Sequence, residues 1–301
     1  MIPTVGRLGM AWRVAAALAV TLTLTGCGPT ASTNGRIQVV TSTDVWGSVA
    51  HAVGGSAVDV TAIIHDPSQD PHGYQTTPSD AAKINTAQLA VYNGNGYDDF
   101  FATDLTATQS ASRRTIVAFA LSGKPAGGNE HIFYDLPTVV RVADALATQL
   151  GQLQPSHAAD FTHNAATFDR AVNALLASVH QIGARHPGAR AVVTEPVADY
   201  LLQAAGITDA TPPAFERAVE SDTDIPIAAI NATMNLITGR QVAALVNNVQ
   251  AETNVTSQLT EKAHAAGVPV VNVTETLPQG TNGYLDWMTT QVNDLAKAMG
   301  S

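Results

Sequence analysis

Cysteine, basic residues and aromatic residues are all scarce in this sequence. One cysteine, Cys27, occurs among 301 residues, so an intrachain disulfide and a multi-cysteine metal site are excluded, and any bound metal must use His, Asp, Glu or water. The sequence has 15 basic and 25 acidic residues. The resulting net charge of −10 argues against nucleic acid as a partner and suits a cationic ligand. The same acidity would also keep an exported protein soluble. Hydrophobic residues, at 45%, are typical of a globular chain with a sizeable core.

The N-terminal end of the chain has the layout of a secretory signal. Two arginines precede an apolar run over 15–26, which is too short to span a bilayer and which ends at Cys27. The sequence Leu24-Thr-Gly-Cys resembles the lipobox of bacterial lipoproteins, and a polar linker, 27–35, follows it. The resemblance implies that residues 1–26 form a signal peptide that is removed and that Cys27 carries a lipid anchor. An ordinary signal, or a lone buried cysteine, is the alternative.

Two segments of the chain nearly repeat. Residues 39–55 and 192–207 both indicate a buried strand, a polar corner and a helix that ends in glycine. A second pair, 89–95 and 244–250, consists of an apolar strand that runs into an Asn-rich loop. Apolar strands that alternate with helical patterns predict parallel β-α units. Because the series occurs twice, the sequence predicts an α/β fold with two similar lobes of mainly parallel sheet.

The predicted lobes are an N-terminal lobe, 36–155, and a C-terminal lobe, 188–301. Strands are predicted at 37–41, 58–63, 89–92, 115–118, 191–194, 242–247 and 268–273. Helices of the C-terminal lobe are predicted at 197–205, 232–241, 256–266 and 284–299.

A single long helix is predicted between the lobes, over 156–187. Apolar residues recur at alternating steps of three and four from Ala158 to Ile182, which places them on one helical face. Ser156 is the predicted N-cap, and Pro187-Gly188 ends the pattern. A spine helix that serves both lobes explains the stripe, and a coiled-coil partner helix is the alternative.

Ligand-type residues follow three of the predicted strands. His72 lies in a proline-rich loop after the second strand, His131 comes after the fourth, and Glu195 ends the first strand of the C-terminal lobe. Open parallel sheets bind ligands at the carboxyl ends of their strands, so these side chains are expected to converge. Two imidazoles and one carboxylate suit Zn²⁺ or another divalent transition metal better than Mg²⁺ or Ca²⁺.

The chain resembles the zinc- and manganese-binding lipoproteins that serve bacterial metal ABC importers. The matching stretches are 39–55, 70–80, 89–98, 130–138, 194–207, 235–253 and 284–288. The resemblance implies a metal bound between the lobes by His72, His131 and Glu195, and a monomer that delivers the metal to a membrane permease outside the cytoplasm.

The resemblance leaves the fourth metal ligand and the choice of metal open. The position equivalent to the usual fourth ligand is Asn282, and Asp286 is the nearest carboxylate, although Asp286 also suits a helix N-terminus. The second oxygen of Glu195, or a water, is a further alternative. The chain has a short Gly-rich segment before His131 where many zinc-specific relatives have a His-rich insertion, which leaves both zinc and manganese as candidates.

Two rival functions belong to other classes of protein. A zinc-dependent hydrolase also needs two His, one Glu and an open position, but the sequence has no His-Glu-x-x-His motif, and we expect no enzymatic activity. A receptor for a metal chelate, such as a siderophore or corrinoid, usually needs aromatic and Arg side chains, which are few here. An additional role as an adhesin has no sequence signature. Ligation by imidazole predicts that metal affinity falls below about pH 6.5.

Overall fold

Two parallel β-sheets of four strands each organise the protein in the computed structural model, which describes residues 35–108, 110–221 and 223–300. The predicted signal peptide and Cys27 lie outside the described residues. The two sheets confirm the predicted fold class, an α/β protein with two similar lobes.

The two sheets share one strand topology. The first contains β1 (Ile37–Thr43), β2 (Val58–Ile64), β3 (Leu89–Tyr92) and β4 (Arg114–Val117), and the second contains β5 (Arg190–Val193), β6 (Thr208–Asp209), β7 (Ala244–Asn248) and β8 (Val270–Val273). The spatial orders are β2-β1-β3-β4 and β6-β5-β7-β8, and every pair is parallel. All carboxyl strand ends of one sheet therefore lie at one edge, where the following loops can form a ligand site. The sequence did not predict β6, because two residues are too few to show a pattern.

Ten α-helices connect or cover the strands in the described part of the chain. They are α1 (Asp44–Gly54), α2 (Pro78–Thr86), α3 (Asp99–Ala107), α4 (Leu136–Leu153), α5 (Ala158–Arg185), α6 (Asp199–Ala204), α7 (Pro213–Glu220), α8 (Ile227–Thr238), α9 (Asn254–Ala266) and α10 (Tyr284–Ala298). The helix predicted at 232–241 is α8, which begins five positions earlier, directly after Pro226 with its φ of −57°. Among the described residues, no helix is long and apolar enough to cross a membrane.

Helix α5 is the predicted spine. Its 28 residues give a length of about 42 Å, and its buried side chains are those of the predicted stripe: Phe161, Ala165, Phe168, Val172, Val179 and Ile182. These side chains pack on α1 and α4 from the first half of the chain and on α6 and α10 from the second half. The apolar face is thus covered within the chain. Ser156 is not the N-cap that was predicted: it lies in a short 3-10 turn before the helix, and within the described part of the chain no side-chain hydrogen bond caps the helix start.

One hydrophobic core continues through both halves of the protein. Residues from β1 and β3, from α5 and from β5 and β7 belong to the same buried cluster. A continuous, close-packed core resists deformation, so we expect the sheets to keep a fixed orientation and the loops at their carboxyl edges to make any movement.

Candidate metal centre

The carboxyl edges of the two sheets open onto one cavity of about 550 Å³. Its walls include four side chains with metal-binding atoms from separate loops: His72, His131, Glu195 and Glu275. Three of these were predicted from the sequence, and the structure brings them to the same cavity. Glu275 was not predicted.

His72 is oriented by a carboxylate two positions before it. Asp70 Oδ1 accepts the backbone N–H of His72 at 2.9 Å and lies 3.1 Å from the ring Nδ1, so Nδ1 keeps its proton and Nε2 is the nitrogen that can bind a metal once its own proton leaves. Nε2 lies 3.3 Å from Glu130 Oε1. Burial opposes charge on the ring, but the hydrogen bonds to Asp70 and Glu130 and the charge of Glu275 raise the pKa of His72 to about 10.

The loop that carries His72 is anchored at the start of α2. Thr77 and Asp80 form a capping box, in which each side chain accepts a hydrogen bond from the other's backbone N–H. The hydroxyl of Tyr74 donates to Asp80 Oδ2 at 3.0 Å, and Lys83 lies 3.1 Å from Asp80 Oδ1. Asp80 therefore fixes the end of the loop, and the loss of loop entropy on metal binding is smaller.

His131 is oriented in the same manner, by an amide two positions before it. Asn129 Oδ1 accepts the backbone N–H of His131 at 2.9 Å and lies 2.8 Å from the ring Nδ1. The side chain is 3% exposed and packs edge-on against the rings of Tyr97 and Phe133. Burial lowers the pKa of His131, which keeps the ring neutral and its Nε2 available to a metal.

Glu195 and Glu275 are joined by one side-chain amide. Asn248 Nδ2 donates to Glu195 Oε2 at 2.5 Å and to Glu275 Oε1 at 2.8 Å. Asn248 is 1% exposed, and its Oδ1 accepts the backbone N–H of Gln250 at 3.0 Å, so the amide is fully used. Burial raises the pKa of Glu195 to about 7, although the hydrogen bond from Asn248 works against this shift.

Glu275 has a buried carboxylate oxygen that faces the ring of His131. Its Oε2 has no hydrogen-bond partner among the described residues and lies 3.8 Å from His131 Nε2. A buried carboxylate oxygen without a partner is costly, and an ion between it and the ring would satisfy both atoms. The sequence held a signal for this residue, because Glu275 follows β8 just as Glu195 follows β5. The prediction instead placed the fourth ligand further along, before α10.

Asn282 and Asp286 lie elsewhere, at the start of α10. Asp286 Oδ2 accepts the backbone N–H of Asn282 at 3.1 Å, and both side chains are outside the set that lines the cavity. Tyr284 donates its backbone N–H to Ser48 Oγ at 2.7 Å, which fixes this helix start against α1. Asp286 thus stands where an acid stabilises a helix N-terminus.

Gln250 links the His72 loop to the loop of Glu275. Its Nε2 donates to the carbonyl of Pro67 at 2.5 Å and to Thr276 Oγ1 at 2.7 Å. Its Oε1 accepts the backbone N–H groups of Glu275 and Thr276. One side chain therefore couples the position of a histidine loop from the first half of the chain to a carboxylate loop from the second half.

A comparison with models of protein families shows which family the chain belongs to. Residues 39–298 match the family described as ZnuA, zinc-uptake complex component A, periplasmic. The chain belongs to the ZnuA family. The matched region contains His72, His131, Glu195 and Glu275.

Known proteins resemble this ZnuA-family chain in sequence and in structure. The manganese-binding lipoprotein MntA of Bacillus subtilis (strain 168) is 28% identical over 162 residues, which are 50% of this chain and 53% of that protein. The iron-binding protein YfeA of Yersinia pestis is 24% identical over 182 residues, 58% of each chain. The chain thus spans little more than half the length of these curated relatives. The periplasmic zinc-binding protein TroA of Treponema pallidum superimposes with a TM-score of 0.72 at 17% sequence identity. The superposition covers 88% of this chain and 99% of TroA, so the two proteins share a fold.

Proposed function

We propose that this protein is the extracytoplasmic solute-binding component of a metal ABC importer, which captures one divalent transition metal ion and delivers it to a permease. His72 Nε2, His131 Nε2 and carboxylate oxygens of Glu195 and Glu275 hold the ion. The observation that carries this proposal is a pair of imidazoles whose Nδ1 atoms lie at hydrogen-bond distance from Asp70 and Asn129. This arrangement makes Nε2 the metal-binding nitrogen of each ring. Membership of a zinc-uptake family supports it.

Zinc is the first candidate for the ion and manganese the second. Two imidazoles favour Zn²⁺, while two carboxylates are acceptable to either ion. The relatives described above are named for manganese, iron and zinc, so their names support a divalent transition metal as the class of ligand.

The charge of the cavity favours a free cation over a metal chelate. Among the described residues that line it are Asp70, Glu195, Glu252 and Glu275, and there is no Arg or Lys among them. Siderophores and similar chelates are commonly anionic, and this wall would repel them. Binding, with no catalytic turnover, also fits relatives that are named as binding proteins.

The cellular setting belongs to the same proposal. The segment 1–26 directs export, Cys27 carries the lipid that holds the protein at the outer face of the membrane, and the linker 27–35 lets the body, a monomer, reach the permease. The body divides into an N-terminal lobe, 36–155, the spine segment, 156–187, and a C-terminal lobe, 188–301.

Metal analysis of the protein purified without added metal, followed by calorimetric titration with Zn²⁺ and Mn²⁺, tests the proposal. We expect one ion per chain, and loss of binding in His72→Ala and His131→Ala. His180→Ala is the matched control, because His180 is exposed on α5. Wild-type protein that binds neither ion, or a His180 variant as defective as the other two, would refute the proposal.

A further inference from the structure

A third carboxylate lies beside the two imidazoles. Glu130 Oε1 is 3.3 Å from His72 Nε2, the ring nitrogen that Asp70 leaves available. One ligand atom from each of His72, Glu130 and His131 lies within 4.8 Å of the other two. Glu130 contributes no surface to the cavity itself, and its side chain, 14% exposed, lies in the wall next to His72.

The backbone of Glu130 is fixed independently of its side chain. Asn93 Nδ2 donates to the carbonyl of Glu130 at 2.9 Å. In the preceding segment, Asn95 Nδ2 donates to the carbonyl of Gly128 at 2.7 Å. The next residue, His131, is buried and held by Asn129. The backbone on both sides of Glu130 is therefore held by hydrogen bonds, and this fixed backbone positions its carboxylate beside His72.

The separation of the two atoms matches that of neighbouring ligands on one ion. Two donors bonded to one ion at about 2.0–2.2 Å, at tetrahedral or octahedral angles, lie roughly 3.0–3.5 Å apart. His72 Nε2 and Glu130 Oε1 are 3.3 Å apart, so an ion can bind both with little movement of either side chain.

We propose that Glu130 is a further ligand of the transported ion and that it shifts the preference of the site toward Mn²⁺ relative to Zn²⁺. This inference rests on the metal-binding function proposed above. With Glu130 the site offers two nitrogens and three carboxylates, and oxygen-rich sites with more than four donors suit Mn²⁺, whereas Zn²⁺ is satisfied by four donors. The position directly before His131 thus becomes a determinant of metal choice.

A different role for Glu130 makes opposite predictions. If its carboxylate only occupied His72 Nε2 in the metal-free protein, it would compete with the ion. Removal of its charge would then strengthen the binding of both metals by the same factor.

Calorimetric titration of wild type, Glu130→Gln and Glu261→Gln with Mn²⁺ and with Zn²⁺ separates these roles. We expect Glu130→Gln to weaken Mn²⁺ binding by at least about tenfold and Zn²⁺ binding by less than about threefold. Glu261 lies exposed on α9, and its variant should change neither affinity. Equal changes for the two metals, no change, or tighter binding of both would overturn the role of Glu130. Wild type that binds neither metal would refute the proposed function instead.

A second measurement decides the question even if Glu130→Gln fails to fold. Anomalous diffraction from crystals of the Mn²⁺-loaded wild type locates the ion. We expect a Glu130 oxygen within about 2.5 Å of it. An ion whose coordination is complete without Glu130 would overturn the inference.

Discussion

His131 Nε2 lies 3.8 Å from Glu275 Oε2, although one residue follows β4 and the other follows β8. The contact joins the carboxyl edges of the two sheets at the candidate metal centre. Both side chains are about nine-tenths buried or more, so a charge left unpaired between them is unfavourable. Under the proposed function, an ion that enters here would replace this contact with two coordination bonds.

The identity of the fourth ligand gives the first prediction. Glu275→Gln keeps the size of the side chain but removes its charge, so we expect the affinity for Zn²⁺ to fall by about 10- to 100-fold. Asp286→Asn and Asn282→Ala, at the start of α10, should leave the affinity unchanged. Calorimetric titration checks all three. If Asp286→Asn weakens binding and Glu275→Gln does not, the ligand set proposed here is wrong.

The pH dependence of binding gives the second prediction. At pH 7.5 the ring of His72, whose pKa is about 10, is protonated on both nitrogens in the metal-free protein, and the ion must displace the proton on Nε2, which faces Glu130. Glu195, whose pKa is about 7, adds a second displaced proton as the pH falls below 7. Affinity should therefore rise with pH by roughly one log unit per pH unit above 7.5, and more steeply below 7. The dependence extends well above the pH 6.5 expected from an ordinary histidine.

Proton release during calorimetry in buffers of different ionisation enthalpy measures this effect. We expect about one proton per ion at pH 7.5. Asp70→Asn removes a hydrogen bond that raises the pKa of His72 and should lower the number of protons released. Asp66→Asn, in the same loop but bonded to Ser68, is the control. Affinity that is flat between pH 6 and pH 8.5 would contradict imidazole ligation.

The amide that joins the two carboxylates gives the third prediction. Asn248→Ala leaves Glu195 and Glu275 without their shared donor, so they repel each other and lose their orientation. We expect metal affinity to fall about 10- to 100-fold while the stoichiometry stays at one ion. Asn247→Ala is the matched control, because the neighbouring side chain points to the other face of β7 and bonds to Asn272. Equal loss of affinity in both variants would show a general effect of strand damage.

The spine helix gives the fourth prediction. A Cβ on Gly183 would stand 1.9 Å from the carbonyl oxygen of Ala205, which is backbone and cannot move aside cheaply. Gly→Ala within a helix normally stabilises, but here we expect Gly183→Ala to lower the free energy of unfolding by about 1–3 kcal/mol. Thermal unfolding measures the change, with Ser178→Ala on the exposed side of α5 as the control. A higher melting temperature for Gly183→Ala would show that α5 and α6 do not pack this closely.

The long elements were predictable because each has a strong local pattern. The stripe from Phe161 to Ile182 repeats with the period of a helix, and the structure buries that face. β6 and α7 were not predicted, since β6 has two residues and α7 has eight residues and begins at the second of two consecutive prolines, Pro212 and Pro213. Short elements depend on their neighbours more than on their own sequence.

The sequence by itself determined that two parallel α/β lobes flank one helix, and that His72, His131 and Glu195 each come after the carboxyl end of a strand. Local periodicity and parallel topology suffice for both conclusions. Only the tertiary structure decided which other acids join them. It brought Glu275 and Glu130 to the imidazoles and left Asp286 at a helix start, because the direction of a side chain after a strand depends on packing between distant segments.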